Sequence, residues 1–499
     1  MFLSILVVFA GGVYKNLLKG YGCLSYRRGL WQYIRLDYSF CILQVLLCDE
    51  RGRVRLVIFF VLLYNSRYVK KADFLPEVLK MQNIAGKWRY DMNIAVAQSG
   101  GPTCAINASL AGVFSEASVT GEIDKIYGSI NGIEGIINNN LVDMKSIIKN
   151  NKDLELLKLT PSTVLGSCRY KLPDSEKNPE VYEKIISCFE KNEIDVFFYI
   201  GGNDSMDTVN KLSTYLEKNK KDIKVIGIPK TIDNDLMCTD HTPGFGSAAK
   251  YVAATIQEIA RDSSVYSVKS VTIVEIMGRD AGWLTASTCV LKANDETAPH
   301  LIYLPETPFS VERFLDDVRR MLTEHKGVIV AVSEGLKLSG GGYAAEDFQS
   351  GRDDPFGHKY LSGIGKCLEN IVSTEIGCKV RSIELNVMQR CASHMASKTD
   401  IDESVKIGEE AVKAAMKGVT GKMMAFERVS DRPYFSRIKA VDAKDVANHA
   451  RLFPKEWINN QGNNVTARAI DYFLPLIQGE VDVFMENGMP VHLKLPNWF

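Results

Sequence analysis

The stretch that decides the fold is "VFFYIGGNDSMDTVNKL", Val196 to Leu212. An apolar, β-rich run stops at two glycines. Asn203, Asp204 and Ser205 follow, and then a helical pattern. Strand, glycine turn and helix in that order form the repeating unit of a parallel sheet flanked by helices. The same punctuation recurs along the chain. "NIAVAQ" (93–98) leads into "GGPTCAINASLAGVFSEA", and "KVIGIPKT" (224–231) leads through a loop into "SAAKYVAATIQEIARD" (247–262). "SVTIVEIMG" (270–278) leads into "DAGWLTASTCVLKA", and "GVIVAVSEG" (327–335) follows the helical "SVERFLDDVRRMLTEH". The expected class is α/β, with mostly parallel sheets and helices on both faces. Ligands in such folds bind at the carboxyl ends of strands, and the polar clusters of this chain sit at those ends.

The 499 residues suit two or three lobes. The formal net charge is zero, which gives no argument for nucleic acid. Eleven scattered cysteines with no C-x-x-C pair argue against a zinc site or disulfide framework and suit a reducing cytosol. Residues 1–91 carry 14 Lys and Arg against 6 Asp and Glu, whereas the rest is net acidic. Their apolar runs ("FLSILVVFA", "FCILQVLLC", "VRLVIFFVLLY") are shorter than the ~20 residues of a membrane span. Trp88-Arg89 can be encoded by UGGAGG, which contains a bacterial ribosome-binding sequence, two codons ahead of Met92. Met92 is therefore read as the true start, and residues 1–91 as leader sequence or a poorly ordered extension. Mass spectrometry of the native N-terminus decides this, and an extended N-terminal peptide would refute it. "DFQSGRDDPFGHKYLSG" (347–363) reads as a mobile surface loop. "WINNQGNNVTARAIDYFLPLIQGE" (457–480) reads as a capped helix with an extended end.

Four motifs carry chemistry. In "SGGPTCAINASL", from Ser99, glycines after a strand expose N–H groups ahead of a helix, an arrangement that suits an anion. In "GGNDS", Asn203 and Asp204 fit Mg2+ ligands, since phosphoryl transfer uses a metal to offset charge; Asp204 equally fits a helix cap. In "GIPKTIDNDL" (227–236), extended backbone would put Asp233 and Asp235 on one face. One of them then serves as base toward a hydroxyl, with Lys230 as a compact cation beside them. An Asn/Asp turn is the plainer alternative. In "EIMGRDAGWL" (275–284), Arg279 opens a helix and suits two-pronged phosphate binding, while Asp280 reads as a cap. Glu334 ends a strand, and Arg381 and Arg390 flank "SIELNVMQ". "GFGSAA" (244–249) mimics a dinucleotide fingerprint but follows "DHTP" rather than a strand. No Walker A motif is present.

In this order the motifs resemble the 6-phosphofructokinase family across nearly all of 92–499, and most closely its pyrophosphate-dependent members. Where ATP-using members read GGDGS and PGTIDND, this chain has Asp204 and Lys230 in place of the two glycines. The resemblance implies two Rossmann-like lobes with the active site in the cleft between them: a donor lobe at 92–240, a fructose 6-phosphate lobe at 241–445, and a C-terminal helix and tail at 446–499. It implies Asp233 as general base, helped by Thr231, Asp235, Lys230 and Asp204. It places Gly100 and Asn203 at the donor phosphates and Mg2+, the latter shared with Asp204. It gives fructose 6-phosphate to Thr231, Ile232, Asp233, Met277, Gly278, Arg279, Glu334, Arg381 and Arg390. It also implies a cytoplasmic, Mg2+-dependent glycolytic homodimer or homotetramer. The chain departs from the pattern at Asn203, where Asp is usual, and at Ser270, where bacterial ATP enzymes carry an Arg that reaches the neighbouring subunit. The rival expectations are an ATP-dependent enzyme, which Asp204 and Lys230 oppose, and a non-catalytic sugar-phosphate sensor, which the retained Asp233–Asp235 pair opposes.

Overall fold

The computed structural model describes residues 29–36, 40–48, 54–61, 92–344 and 363–494. The chain divides into two units, Met1–Tyr90 and Asp91–Phe499. In the first, β1 (Gly29–Leu36), β2 (Phe40–Cys48) and β3 (Val54–Val61) form an antiparallel sheet with β2 central, Gly29 facing Leu47 and Cys41 facing Val61. The rest of residues 1–91, on which the expectation of a poorly ordered leader bears, lies outside the described residues. So does the loop expected at 347–363, apart from Gly363.

The second unit holds two sheets. The larger contains β4 (Met92–Gln98), β5 (Ile123–Ser129), β6 (Leu141–Asp143), β7 (Ile194–Gly201), β8 (Lys224–Pro229), β13 (Lys422–Asp431) and β14 (Tyr434–Asp442). Their spatial order is β14-β13-β8-β7-β4-β5-β6, with antiparallel pairing only at the two edges. The smaller is wholly parallel: β9 (Ser270–Ile276), β10 (Leu301–Tyr303), β11 (Gly327–Ser333) and β12 (Lys379–Glu384), in the order β10-β11-β9-β12.

Period-2 alternation places the two faces of β4 and β7 in separate cores. Ile94, Val96, Val196 and Phe198 join one cluster, while Ala95, Ala97, Phe197 and Tyr199 join the other. Both faces are covered by helices, which explains why β7 reads as an unbroken apolar run. The main helices are α1 (Ile106–Val119), α2 (Pro179–Lys191), α3 (Asn203–Lys218), α4 (Phe245–Ser264), α5 (Val311–Glu324), α6 (Ile364–Ile376), α7 (Lys398–Met416) and α8 (Ala467–Phe473).

The structure differs from the sequence expectation at three places. Residues 398–442, expected in the second lobe, return to the first sheet. There β13 pairs with β8 at Lys422–Ile226, and Ile407, Ala411 and Val412 of α7 pack into the core that contains Ile94. "DAGWLTASTCVLKA" forms a single α-turn (Trp283–Ala286) and then 3-10 helix to Asn294, not a regular helix. In the tail, helix covers only α8 and a short 3-10 turn (Leu474–Ile477), and Thr466 at its start makes no capping bond.

Candidate active site

The loops after β4, β7 and β8 of the larger sheet face those after β9, β11 and β12 of the smaller one. Between them lies a cleft of about 750 Å³. Gly100, Asn203, Asp204, Lys230, Thr231, Ile232, Asp233, Asp235, Met277, Arg279, Glu334 and Arg390 all line it. Gly278 contributes backbone: at φ +130° its N–H donates to Glu334 Oε1 at 3.2 Å. A Cβ at Gly278 would lie 2.8 Å from the Ala281 carbonyl, so only glycine fits this turn. Arg381 does not line this cleft; its half-exposed side chain lies 3.4 Å from Asp262.

The two glycines after β7 serve different ends. A Cβ on Gly201 would lie 2.0 Å from Ser205 Oγ, so packing requires the glycine there. At Gly202 the nearest atom would be 3.6 Å away, which leaves that backbone open to the cleft. Gly202 is the cap residue of α3 and no side chain caps the helix, so Asp204 is not the cap. It sits in the first turn, where the helix dipole favours a carboxylate. With its amide assigned so that the nitrogen faces these acceptors, Asn203 donates to the Val446 and His449 carbonyls, each at 3.0 Å, which ties the 446–449 segment to the cleft.

Lys230 is only 3% exposed. Its Nζ donates to the Gly101 carbonyl at 2.7 Å and would lie 3.1 Å from a Cβ on Gly100. Burial, with Arg390 and Arg169 nearby, lowers its pKa to about 8, against the opposing pull of Asp233. The strand expected to carry Asp233 and Asp235 ends at Pro229. A turn with Asn234 at φ +56° brings both carboxylates to the cleft instead. Asp233 N–H donates to Thr231 Oγ1 at 3.1 Å. Burial raises the affinity of Asp233 for its proton, although Arg279 and Lys230 pull the other way. Burial and the neighbouring Asp233 push Asp235 up to about 7. Burial, again with Asp233, pushes Glu334 up to about 8.

Sequence reasoning missed several lining residues. Arg169 and Lys171, in "SCRYK", add two cations to the wall. Glu275 accepts from the Gly363 and Gly365 N–H groups (3.0 and 2.7 Å), and burial pushes it up to about 7. Asp280, read as a cap, lines the cleft and accepts from Tyr343 Oη at 3.3 Å. The dinucleotide look-alike is a helix start whose anion site is filled: Asp400 accepts from the N–H groups of Gly244 (2.9 Å) and Ser247 (3.0 Å).

Carboxylates outnumber cations in the lining of this cleft. Among the described residues no group of three or more His, Cys, Asp or Glu is arranged to hold a metal alone. That donor set fits a Mg2+ held jointly by substrate phosphates and one or two protein carboxylates. The phosphofructokinase family model matches residues 93–415. The chain belongs to the phosphofructokinase family. It is 38% identical to the pyrophosphate--fructose 6-phosphate 1-phosphotransferase of Halomonas elongata over 406 residues, 81% of this chain and 96% of that one. It is likewise 38% identical to the enzyme of that name from Xanthomonas campestris, over 81% of this chain and 96% of the other. The structure of pyrophosphate-dependent phosphofructokinase from Marinobacter aquaeolei superposes with a TM-score of 0.72 at 35% identity, covering 81% of this chain and 96% of its own. The phosphofructokinase match covers β4 to β12 and stops before β13 and β14, the two strands at one edge of the larger sheet.

Proposed function

We propose that this phosphofructokinase transfers a phosphoryl group from pyrophosphate to the 1-hydroxyl of fructose 6-phosphate, giving fructose 1,6-bisphosphate and phosphate. The observation that carries the choice of donor is the pair Lys230 and Asp204. Both line the cleft beside the glycine turns after β4 and β7. A carboxylate there opposes the innermost phosphate of ATP, whereas the shorter pyrophosphate leaves room for it.

Asp233 accepts the proton of the 1-hydroxyl as the phosphorus–oxygen bond forms. Thr231 Oγ1, bonded to the Asp233 N–H, fixes that backbone turn. Lys230, Arg390 and Arg169 place cations where charge moves from the acceptor to the departing phosphate. Arg279 and the Glu334-braced Gly278 turn are the proposed grip on fructose 6-phosphate. Mg2+ would be held by Asp204 and Asn203 together with the donor phosphates, and it supplies charge neutralisation between phosphoryl oxygens. Since an anhydride of two phosphates lies closer in energy to a sugar ester than ATP does, the reaction runs in both directions. We assign a cytoplasmic glycolytic role and a homodimer or homotetramer. No helix among the described residues is long and apolar enough to cross a membrane.

Incubation with fructose 6-phosphate, pyrophosphate and Mg2+ tests the assignment. Fructose 1,6-bisphosphate should appear and chelation should stop it; absence of product contradicts the proposal.

The pH profile follows from the site. The carboxylate base works deprotonated, and burial raises its hold on the proton, so kcat/KM for pyrophosphate falls on the acid side as the buried Asp233 takes up a proton. Lys230 works protonated, so kcat/KM falls as pH passes about 8. A bell between these limits is expected, because kcat/KM reports free-enzyme ionisations. In Lys230→Met the alkaline limb should vanish; an unchanged limb would assign it to another group.

A further inference from the structure

The loop that carries Asp233 and Asp235 has few bonds of its own, such as Thr239 Oγ1 to the His241 carbonyl and Thr242 Oγ1 to the Thr231 carbonyl. Between Asp233 and Gly244 it forms no helix or strand, and Asn234 and Cys238 take positive φ (56° and 64°). Several of its backbone carbonyls take outside donors; Arg451 reaches four of them, and Tyr472 Oη also donates to the Asp240 carbonyl. Arg451 Nε and Nη2 donate to the Asn234 carbonyl at 3.2 and 2.8 Å, and Nη1 donates to the Thr239 carbonyl at 3.0 Å and to that of Asp240. The Arg451 N–H donates to the Asp235 carbonyl at 2.7 Å.

The same residue reaches the other sheet. Its guanidinium lies 4.2 Å from the centre of the Trp283 ring, and Trp283 Nε1 donates back to the Arg451 carbonyl at 2.8 Å. Two residues on, Phe453 N–H shares Glu306 Oε1 with Gly282 N–H, at 2.8 and 2.9 Å. Residues 451–453 thus join the loop of Asp233 and Asp235 to the segment running from Arg279 to Trp283. Arg451 does not line the active-site cleft, although its neighbours Asn448, His449 and Ala450 do.

We propose that Arg451 is a positioning residue for phosphoryl transfer, holding the Asp233–Asp235 loop in register with Arg279 across the two sheets. It acts through backbone carbonyls and touches neither substrate. A planar fork of five N–H donors suits three carbonyls converging on one edge, and a lysine ammonium does not. The inference rests on the reaction proposed above.

Arg451→Met should lower kcat about 10²-fold, the cost of a catalytic group displaced by ~1 Å. KM for fructose 6-phosphate and for pyrophosphate should stay near the parent values, because Arg279, Arg390 and Lys230 remain. Arg451 lines a separate cavity of about 330 Å³ with Trp283 and Tyr472, so free guanidinium ion has space to re-enter. Millimolar guanidinium should therefore restore much of kcat, and methylammonium should not. If Arg451→Met fails to fold, Arg451→Ala carries the test, with the same loss of kcat at unchanged KM and the same guanidinium dependence. A folded variant with parental kcat overturns the proposal, as does a loss that guanidinium does not relieve. The parent enzyme is the control. An inactive parent counts against the proposed reaction; an active parent with an unaffected variant counts against Arg451 alone.

Discussion

Asp233→Ala is expected to lose about 10²- to 10⁴-fold in kcat, the usual contribution of a general base, with little change in KM for fructose 6-phosphate. The split follows from where its contacts lie. The Asp233 side chain faces the cleft, whereas the turn is held by its N–H to Thr231 and by bonds at residues 234–240, so the mutation removes the carboxylate and leaves the backbone. The proposed grip on the sugar phosphate lies in other elements, at Met277, Arg279 and Glu334, which also line the cleft. Steady-state kinetics in both directions checks this, because the base of the forward reaction is the acid of the reverse and both rates should fall together. Unchanged kcat in either direction would remove Asp233 from the chemistry.

The double change Asp204→Gly and Lys230→Gly is expected to move the donor preference. Activity with pyrophosphate should fall about 10²- to 10³-fold in kcat/KM, as when a charge-stabilising group is lost from a transition-state site. Activity with ATP should rise above that of the parent. Lys230 fills the space between the Gly100–Gly101 turn and the loop of Asp233, and Asp204 places a negative charge at the mouth of α3. Removing both clears the volume and the repulsion together. Either single change should do less for ATP than the pair. Both donors are measured in all four combinations, and a double variant with no gain toward ATP would show that these two side chains do not exclude it.

Much of the fold was legible because buried parallel strands write themselves as unbroken apolar runs. β4, β7, β8, β9 and β11 each lie within two residues of their expected ends. What sequence does not carry is strand order. Nothing in "KMMAFERVSD" says that it pairs with β8 rather than with the smaller sheet. The misjudged helix after β9 has a similar cause: "MGRDAGW" is held open by tertiary bonds, the Glu306 carboxylate and the positive φ of Gly278, which have no local signature. In the site, glycine turns and paired carboxylates stand out by their rarity. Arg169, Lys171 and Arg451 do not, because a lone cation in a loop usually belongs to the surface. Arg381 shows the converse. It was expected beside Arg390 at the sugar phosphate, and on β12 its half-exposed side chain lies next to Asp262 rather than in the lining of the cleft.

The most direct test of the account is a comparison of donors on the unaltered chain. kcat/KM for pyrophosphate and for ATP is measured at saturating fructose 6-phosphate and fixed Mg2+. Like charges in contact cost several kcal/mol, so pyrophosphate should be favoured by at least about 10²-fold. Equal use of the two donors, or preference for ATP, would contradict it.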